Sequence, residues 1–237
     1  MISELHFSGG EPFLNPEIVE MIELVDDRTS WGIGCATNLS KVSSEQIARL
    51  AKTRVKLNIQ FPYANSFSFH KSTGNGDYGG IISKILEATS AGVAIGLNAV
   101  IQNENTDIIA ELIEFALEYQ LPLKLLPQIG LKGSDKFKDR IYPLLERSAI
   151  DIHNKETGAI RWTLQRNGKK TVVLYIDSPC FTHNIDVCRK FGELRILPDL
   201  TLQPCIQKNS TFTINLSDGK DKVIEQMTSL WNNFKTC

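Results

Sequence analysis

The strongest constraint on this chain is an alternation: short β-type runs trade places with amphipathic helical stretches from residue 4 to residue 127. Strands are expected at residues 4–8, 31–38, 55–61, 93–100 and 122–126. Asn15 offers an N-cap with Pro16 at the first helical position, and Ile18, Met21, Ile22 and Val25 repeat at helical spacing behind it. Ser43 and Gln46 stand at capping-box spacing ahead of Ile47 and Leu50. Residues 80–91 put Ile81, Ile82, Ile85 and Leu86 on one face and stop at Gly92, a C-cap. A further amphipathic helix is expected at 108–119, and residues 63–78 read as a long polar loop. Strands separated by helices of this length pair in parallel through right-handed crossovers. The expected fold is α/β: a partial (βα)-type parallel barrel with a small C-terminal extension that contains a hairpin. In such barrels the chemistry stands at the carboxyl ends of the strands. That singles out residues 9–12, Thr37, Asn38, Gln60, residues 98–102 and Pro127.

The alternation stops after Gln128. Residues 162–165 and 171–176 flank Asn167-Gly168, a dipeptide that strongly favours a two-residue hairpin turn. A second hairpin is expected across Pro198-Asp199, and a closing helix near residues 222–234. Three regions follow: a partial barrel at 1–128, a connecting region with a β-hairpin at 129–179, and a cysteine-bearing extension at 180–237.

Composition narrows the function classes. With 26 basic and 27 acidic residues the net charge is −1, and no long basic run appears, so no nucleic-acid partner is expected. No stretch approaches the ~18 consecutive apolar residues of a membrane span. The first residues lack the basic start and apolar core of a signal peptide, and a cytoplasmic location is expected. The five cysteines, at 35, 180, 188, 205 and 237, crowd toward the end. In a reducing compartment such crowding favours a metal or cluster over disulfides.

Phe7-Ser8-Gly9-Gly10-Glu11-Pro12 follows the first strand. Paired glycines let the backbone come close to a ligand, and Glu11 sets a carboxylate at the mouth of the barrel. The string resembles the GGEP motif of the radical S-adenosylmethionine (SAM) superfamily. That resemblance implies that Gly9, Gly10, Glu11 and Pro12 hold the methionine amino group of SAM. Thr37-Asn38 resembles the family's TNG position, with Leu39 in place of the glycine. Residues 69–74 resemble its HDxxRG segment, with Thr73 at the arginine position, so a carboxylate-binding arginine is expected to be absent there. Residues 91–93 and 98–101 resemble its AGV…NTVV strand. The resemblance covers residues 3–127 and makes Thr37, Asn38, Gln60 and Asn98 candidates for ribose and methionine contacts.

Radical SAM enzymes also carry a CxxxCxxC loop, whose three thiolates hold the 4Fe–4S cluster that gives SAM an electron. The eight residues before Gly9 contain no cysteine, and Cys35, alone inside a strand, reads as a small buried hydrophobe. Radical initiation is therefore not expected from this chain alone. An upstream segment or a partner chain is expected to supply the cluster loop; the rival is a degenerate relative. The open strand edge at residues 4–8 is expected to attract a partner chain or self-association.

Around the second expected hairpin, Cys188, residues 194–200 and Pro204-Cys205 resemble the opening of SPASM and twitch extensions, which hold auxiliary 4Fe–4S clusters. Leu200 replaces the turn glycine of that pattern. The resemblance implies Cys180, Cys188 and Cys205 as three ligands of an auxiliary cluster. By donor chemistry alone thiolates select iron–sulfur clusters or zinc. Zinc completed by His183 as a Cys3His set, or unliganded cysteines, stay open as alternatives. Trp231 to Phe234 resembles the helix before the last SPASM cysteines, with Cys237 after it. His6 and His153 receive no role. The function implied for the complete enzyme is SAM-dependent radical modification of a peptide or small molecule. The alternative is a relative without radical chemistry that binds a metal or a partner.

Overall fold

A computed structural model describes residues 2–74, 76–102, 105–155, 157–208 and 212–235. Its contacts divide the chain into two units, one of residues 1–153 with 160–176, the other of residues 154–159 with 177–237.

The first unit runs β1 (Glu4–Phe7), α1 (Ile18–Arg28), β2 (Gly32–Thr37), α2 (Ser44–Leu50), β3 (Val55–Gln60), α3 (Ser66–Thr73) and α4 (Tyr78–Ser90). It continues with β4 (Ala94–Ile101), α5 (Thr106–Glu118), β5 (Leu123–Pro127), α6 (Lys138–Glu146), β6 (Ala149–Asn154), β7 (Ala159–Arg166) and β8 (Lys169–Ile176). Strands β1 to β5 are neighbours in chain order and every pair is parallel. β8 then joins parallel to β5, giving the order β1-β2-β3-β4-β5-β8-β7-β6, an open sheet with β1 and β6 at its edges. The expected α/β partial barrel is what the chain adopts. Within residues 129–179, β6, β7 and β8 extend the sheet by three strands.

Local chemistry accounts for the elements. Ser43 and Gln46 form the reciprocal capping box ahead of α2. Asn167 and Gly168 both take positive φ, 51° and 77°, the turn whose twist matches two antiparallel strands. Arg166 pairs with Glu114 and Lys169 with Glu118, fastening both ends of that turn to α5. Two sequence expectations fail. Helix α1 does not start at Pro16: residues 12–14 form a 3-10 turn, Asn15 accepts from the Glu17 amide at 3.0 Å, and the helix begins at Ile18. The polar stretch 63–78 is not all loop. Asn65 caps α3 by accepting from the Ser68 amide at 2.8 Å, and Gly74 ends it at φ 67°. Phe69 is the one residue of α3 that is buried, so its composition hid it.

The two faces of the sheet differ. Cys35, Leu57, Ile59, Leu97, Leu123, Leu125 and Val173 are buried against the helices, where Ile22, Leu50, Ile85 and Leu112 meet them. Each such side chain contributes roughly 1.5–3 kcal/mol by leaving water. The opposite face is polar along β3 and β4, with Lys56, Asn58, Gln60 and Asn98. A Cβ on Gly96 would stand 2.9 Å from the Lys56 side chain, and one on Gly34 would overlap the His6 ring. These two glycines let long polar side chains lie flat across the neighbouring strand.

The second unit holds α7 (Ile185–Phe191), β9 (Arg195–Ile196), β10 (Leu202–Gln203) and α8 (Lys220–Asn233). β9 and β10 pair antiparallel, Ile196 opposite Leu202, as the hairpin expectation requires. Leu200 takes φ 64° where the resemblance calls for glycine.

Candidate functional site

β1 ends in a turn that only glycine adopts without strain: Gly9 has φ 143°. No atom lies within 4 Å of where a Cβ would stand on Gly9 or Gly10, so this stretch of backbone borders open space. Next in sequence, Glu11 is turned toward β2. Its Oε1 accepts from the Thr37 hydroxyl at 2.6 Å and from the Phe13 amide at 3.2 Å. Its Oε2 accepts from the Asn38 amide at 2.8 Å. Thr37 Oγ1 in turn accepts from the Leu39 amide at 3.0 Å. Bonds to an ionised carboxylate are about twice as strong as neutral ones. The GGEP turn is thereby tied to the end of the adjacent strand, and Thr37, 4% exposed, positions Glu11.

The loop after β2 is held from outside. The Lys84 ammonium, on α4, donates to the carbonyls of Leu39 at 3.1 Å, Val42 at 2.5 Å and Ser40 at 3.5 Å. Leu39 is fully buried at φ 60°, in the left-handed region where the resembling pattern has glycine.

Gln60 and Asn98 are partners in the β3–β4 register, and the Phe61 amide donates to the Asn98 carbonyl at 2.8 Å. Asn98 Oδ1 is buried without a hydrogen-bond partner among the described residues. An unsatisfied buried acceptor costs about 1–3 kcal/mol, and a ligand hydroxyl or ammonium would satisfy it. The nominated residues therefore gather at the carboxyl ends of four adjacent parallel strands, with Glu11, Thr37 and Asn38 in direct contact. Lys84 escaped the sequence reading, as did Lys56 and Asn58, which alternate with the nominated Gln60 along β3. The alternation left a signal, polar residues at period two inside an otherwise apolar strand.

Cys35 is fully buried, and burial first, then the nearby Glu11 charge, pushes its thiol up to about 12. A protonated thiol at this depth is a packing group. In the second unit Cys180 lies in a 3-10 turn, Cys188 on α7 and Cys205, 5% exposed, just after β10. Among the described residues no three His, Cys, Asp or Glu side chains form a group able to hold a metal ion. The donor chemistry of these three cysteines suits a cluster, but this arrangement does not bring the donors together. Cys237 lies outside the described residues. Among those residues no helix is long and apolar enough to cross a membrane.

Comparison with known proteins agrees with the geometry. Residues 1–116 match the family model described as the Radical SAM superfamily. A probable GTP 3′,8-cyclase of Methanocella arvoryzae is 22% identical over 238 residues, spanning 94% of this chain and 73% of that protein. GTP 3′,8-cyclase 1 of Pseudomonas aeruginosa is 25% identical over 221 residues, spanning 86% and 65%. Among solved structures, Streptococcus suis SuiB bound to precursor peptide SuiA superposes with a TM-score of 0.69 at 13% identity, covering 97% of this chain. SuiB bound to S-adenosylmethionine gives 0.65 at 13% identity, covering 98%. At that identity the likeness is one of fold, and the chain spans about half (55%) of the SuiB length. The matched segment holds strands β1 to β4 with the turn, the carboxylate tie and the Gln60–Asn98 pair, and this segment belongs to the radical SAM superfamily.

Proposed function

We propose that this chain is the SAM- and substrate-holding part of a radical SAM enzyme, of SPASM or twitch type, that modifies a peptide or a small molecule. One observation carries the reading: Glu11 is immobilised by Thr37 and Asn38 while the backbone of Gly9 and Gly10 is left bordering open space. In this reading Gly9, Gly10 and Pro12 would hold the methionine amino group, with the fixed Glu11 charge favouring its positive form. Asn98 would accept from a hydroxyl or the ammonium, and Asn38 and Gln60 would line the same rim. SAM supplies the adenosyl group on which the family's radical chemistry depends. The chain's own residues bind and orient it; within the first unit, Cys35 is buried and protonated. The relatives support the substrate range, because their names cite GTP and SuiB was solved with a peptide.

Cys180, Cys188 and Cys205 are proposed as ligands of an auxiliary 4Fe–4S cluster, with zinc and His183 as the rival set. Metal binding and local folding are coupled, and a preformed site is rare without the ion. Three thiols on one small unit are compatible with gathering on metal binding. The non-catalytic alternative, a metal- or partner-binding relative, is favoured by the burial and high pKa of Cys35.

Calorimetric titration of SAM into the chain tests the main reading. Saturable binding that Gly10→Val and Glu11→Gln both weaken is expected; no binding by the wild type overturns it. Anaerobic reconstitution with iron and sulfide tests the second. Visible thiolate charge-transfer absorption, abolished by Cys188→Ala but not by Cys35→Ala, supports the cluster; a colourless protein with one tightly held zinc supports the rival.

A further inference from the structure

The open sheet of the first unit ends at β6, and that edge is bare. A strand at the border of a sheet offers unpaired N–H and C=O groups to any other strand, and proteins commonly blunt such an edge with lysine, proline or a covering element. β6 reads Ala-Ile-Asp-Ile-His-Asn, with neither lysine nor proline, and its residues 150–154 are all exposed. Ile150 is 54% exposed and Ile152 53%. Because successive side chains alternate, these isoleucines share one face of the strand, and Asp151 and His153 share the other. Neither the Asp151 nor the His153 side chain makes a hydrogen bond or ion pair among the described residues. At the opposite edge, β1, the apolar residues Leu5 and Phe7 are half-buried instead.

The order of these residues suits the strand to its own copy. Two identical antiparallel strands related by a two-fold axis pair about one residue, which then stands opposite itself. Centred on Asp151, the pairing would set two carboxylates face to face, and like charges directly opposite are destabilising. Centred on His153, it would set the imidazoles face to face and separate Ile150 from the isoleucines of the other copy. Centred on Ile152, both conflicts vanish. Ile152 then opposes Ile152 of the second copy, and Asp151 of each copy opposes His153 of the other. An imidazole donates to a carboxylate whether it is neutral or protonated. On the other face, Ile150 of each copy stands diagonally from Ile152 of the other, within side-chain reach. The isoleucines of the two copies thus cover one another in a single row.

We propose that β6 pairs antiparallel with β6 of a second copy of this chain, in the register centred on Ile152, and so joins two eight-stranded sheets into one. A six-residue strand buries less than the roughly 1,200–2,000 Å² of a standard interface, so this dimer exchanges with the monomer rather than being permanent. It uses no residue of the Gly9–Pro12 rim and stands apart from the SAM reading. Sedimentation velocity of the full chain from low to high concentration tests it, with hydrogen–deuterium exchange read at both ends. A monomer–dimer equilibrium is expected, with slower exchange over residues 149–154 at high concentration. His153→Asp places carboxylates on both sides of each pair and should weaken dimerisation about tenfold. The exchanged variant, Asp151→His with His153→Asp, rebuilds both pairs in this register and should recover wild-type dimerisation to within about twofold. Both positions are exposed, so the fold should survive in each variant, which circular dichroism checks. The inference is overturned if the wild type stays monomeric, or dimerises without slower exchange at residues 149–154. It is also overturned if His153→Asp dimerises as tightly as wild type, or if the exchanged variant fails to recover. A monomeric wild type whose β6 amides are slowed by an added extended peptide would assign the edge to a different chain and overturn the dimer.

Discussion

The Glu11 carboxylate and the Thr37 hydroxyl meet at 2.6 Å across 26 residues of chain, and this bond fastens the turn after β1 to the end of β2. Thr37→Val keeps the shape and removes the donor. Because the acceptor is charged and partly buried, a loss of roughly 1.5–3 kcal/mol in stability is expected. SAM affinity should fall with it, about tenfold, because the turn is no longer held. Urea denaturation and SAM titration read the two effects. Unchanged SAM binding in a less stable protein would show the bond to be structural only.

Lys84 acts on the same rim from α4 through the carbonyls of Leu39, Ser40 and Val42. Lys84→Met retains the apolar stem and removes all three donations. The expected result is weaker SAM binding with the helix content preserved by circular dichroism. Arginine at this position should restore part of the loss, because it also donates several hydrogen bonds.

Leu39 and Leu200 share a left-handed backbone, at φ 60° and 64°. For a non-glycine residue that conformation costs roughly 1–2 kcal/mol. Opposite outcomes are nonetheless expected on changing each to glycine. Leu200 is only partly buried, so Leu200→Gly should stabilise the second unit by up to ~1 kcal/mol. Leu39 is wholly buried, and Leu39→Gly should destabilise by about 2–5 kcal/mol as its cavity outweighs the relieved strain. Thermal denaturation of both variants checks the signs; a shift of the same sign in both would contradict the burial argument.

Cys35 makes stability depend on pH. In the unfolded chain its thiol ionises near 9.0, whereas in the fold it is pushed up to about 12. Between those values the unfolded chain gives up a proton that the folded chain keeps, so stability falls as pH rises, by at most ~1.4 kcal/mol per pH unit. Cys35→Ala should flatten that slope. The difference in urea midpoint between the two proteins, at about pH 9 and about pH 10.5, isolates this thiol from the lysines and tyrosines common to both. Parallel curves would show that the thiol does not stay protonated.

What could be read from residues alone was local. The five parallel strands, the Ser43–Gln46 box and the Asn167-Gly168 turn each follow from periodicity or turn chemistry within a few residues. The polar helix at Ser66–Thr73 was hidden because it buries a single phenylalanine. Glu11 and Thr37 were both nominated, yet as separate ligand contacts; their bond joins two strand ends that no spacing rule relates.

The placement of β8 between β5 and β7 makes the outer part of the sheet depend on a strand made last. β8 docks on β5 through residues 123–125 and 173–175, and the Thr171 hydroxyl reaches the Leu121 carbonyl, 50 residues earlier, at 2.5 Å. β6 and β7 leave the ribosome before β8, yet β7 reaches the sheet through β8, and β6 through β7. β6 and β7 therefore have no place on the parallel sheet until β8 has been made. Until residue 176 has emerged, the growing sheet ends at β5, and the segments that will extend it have no seat.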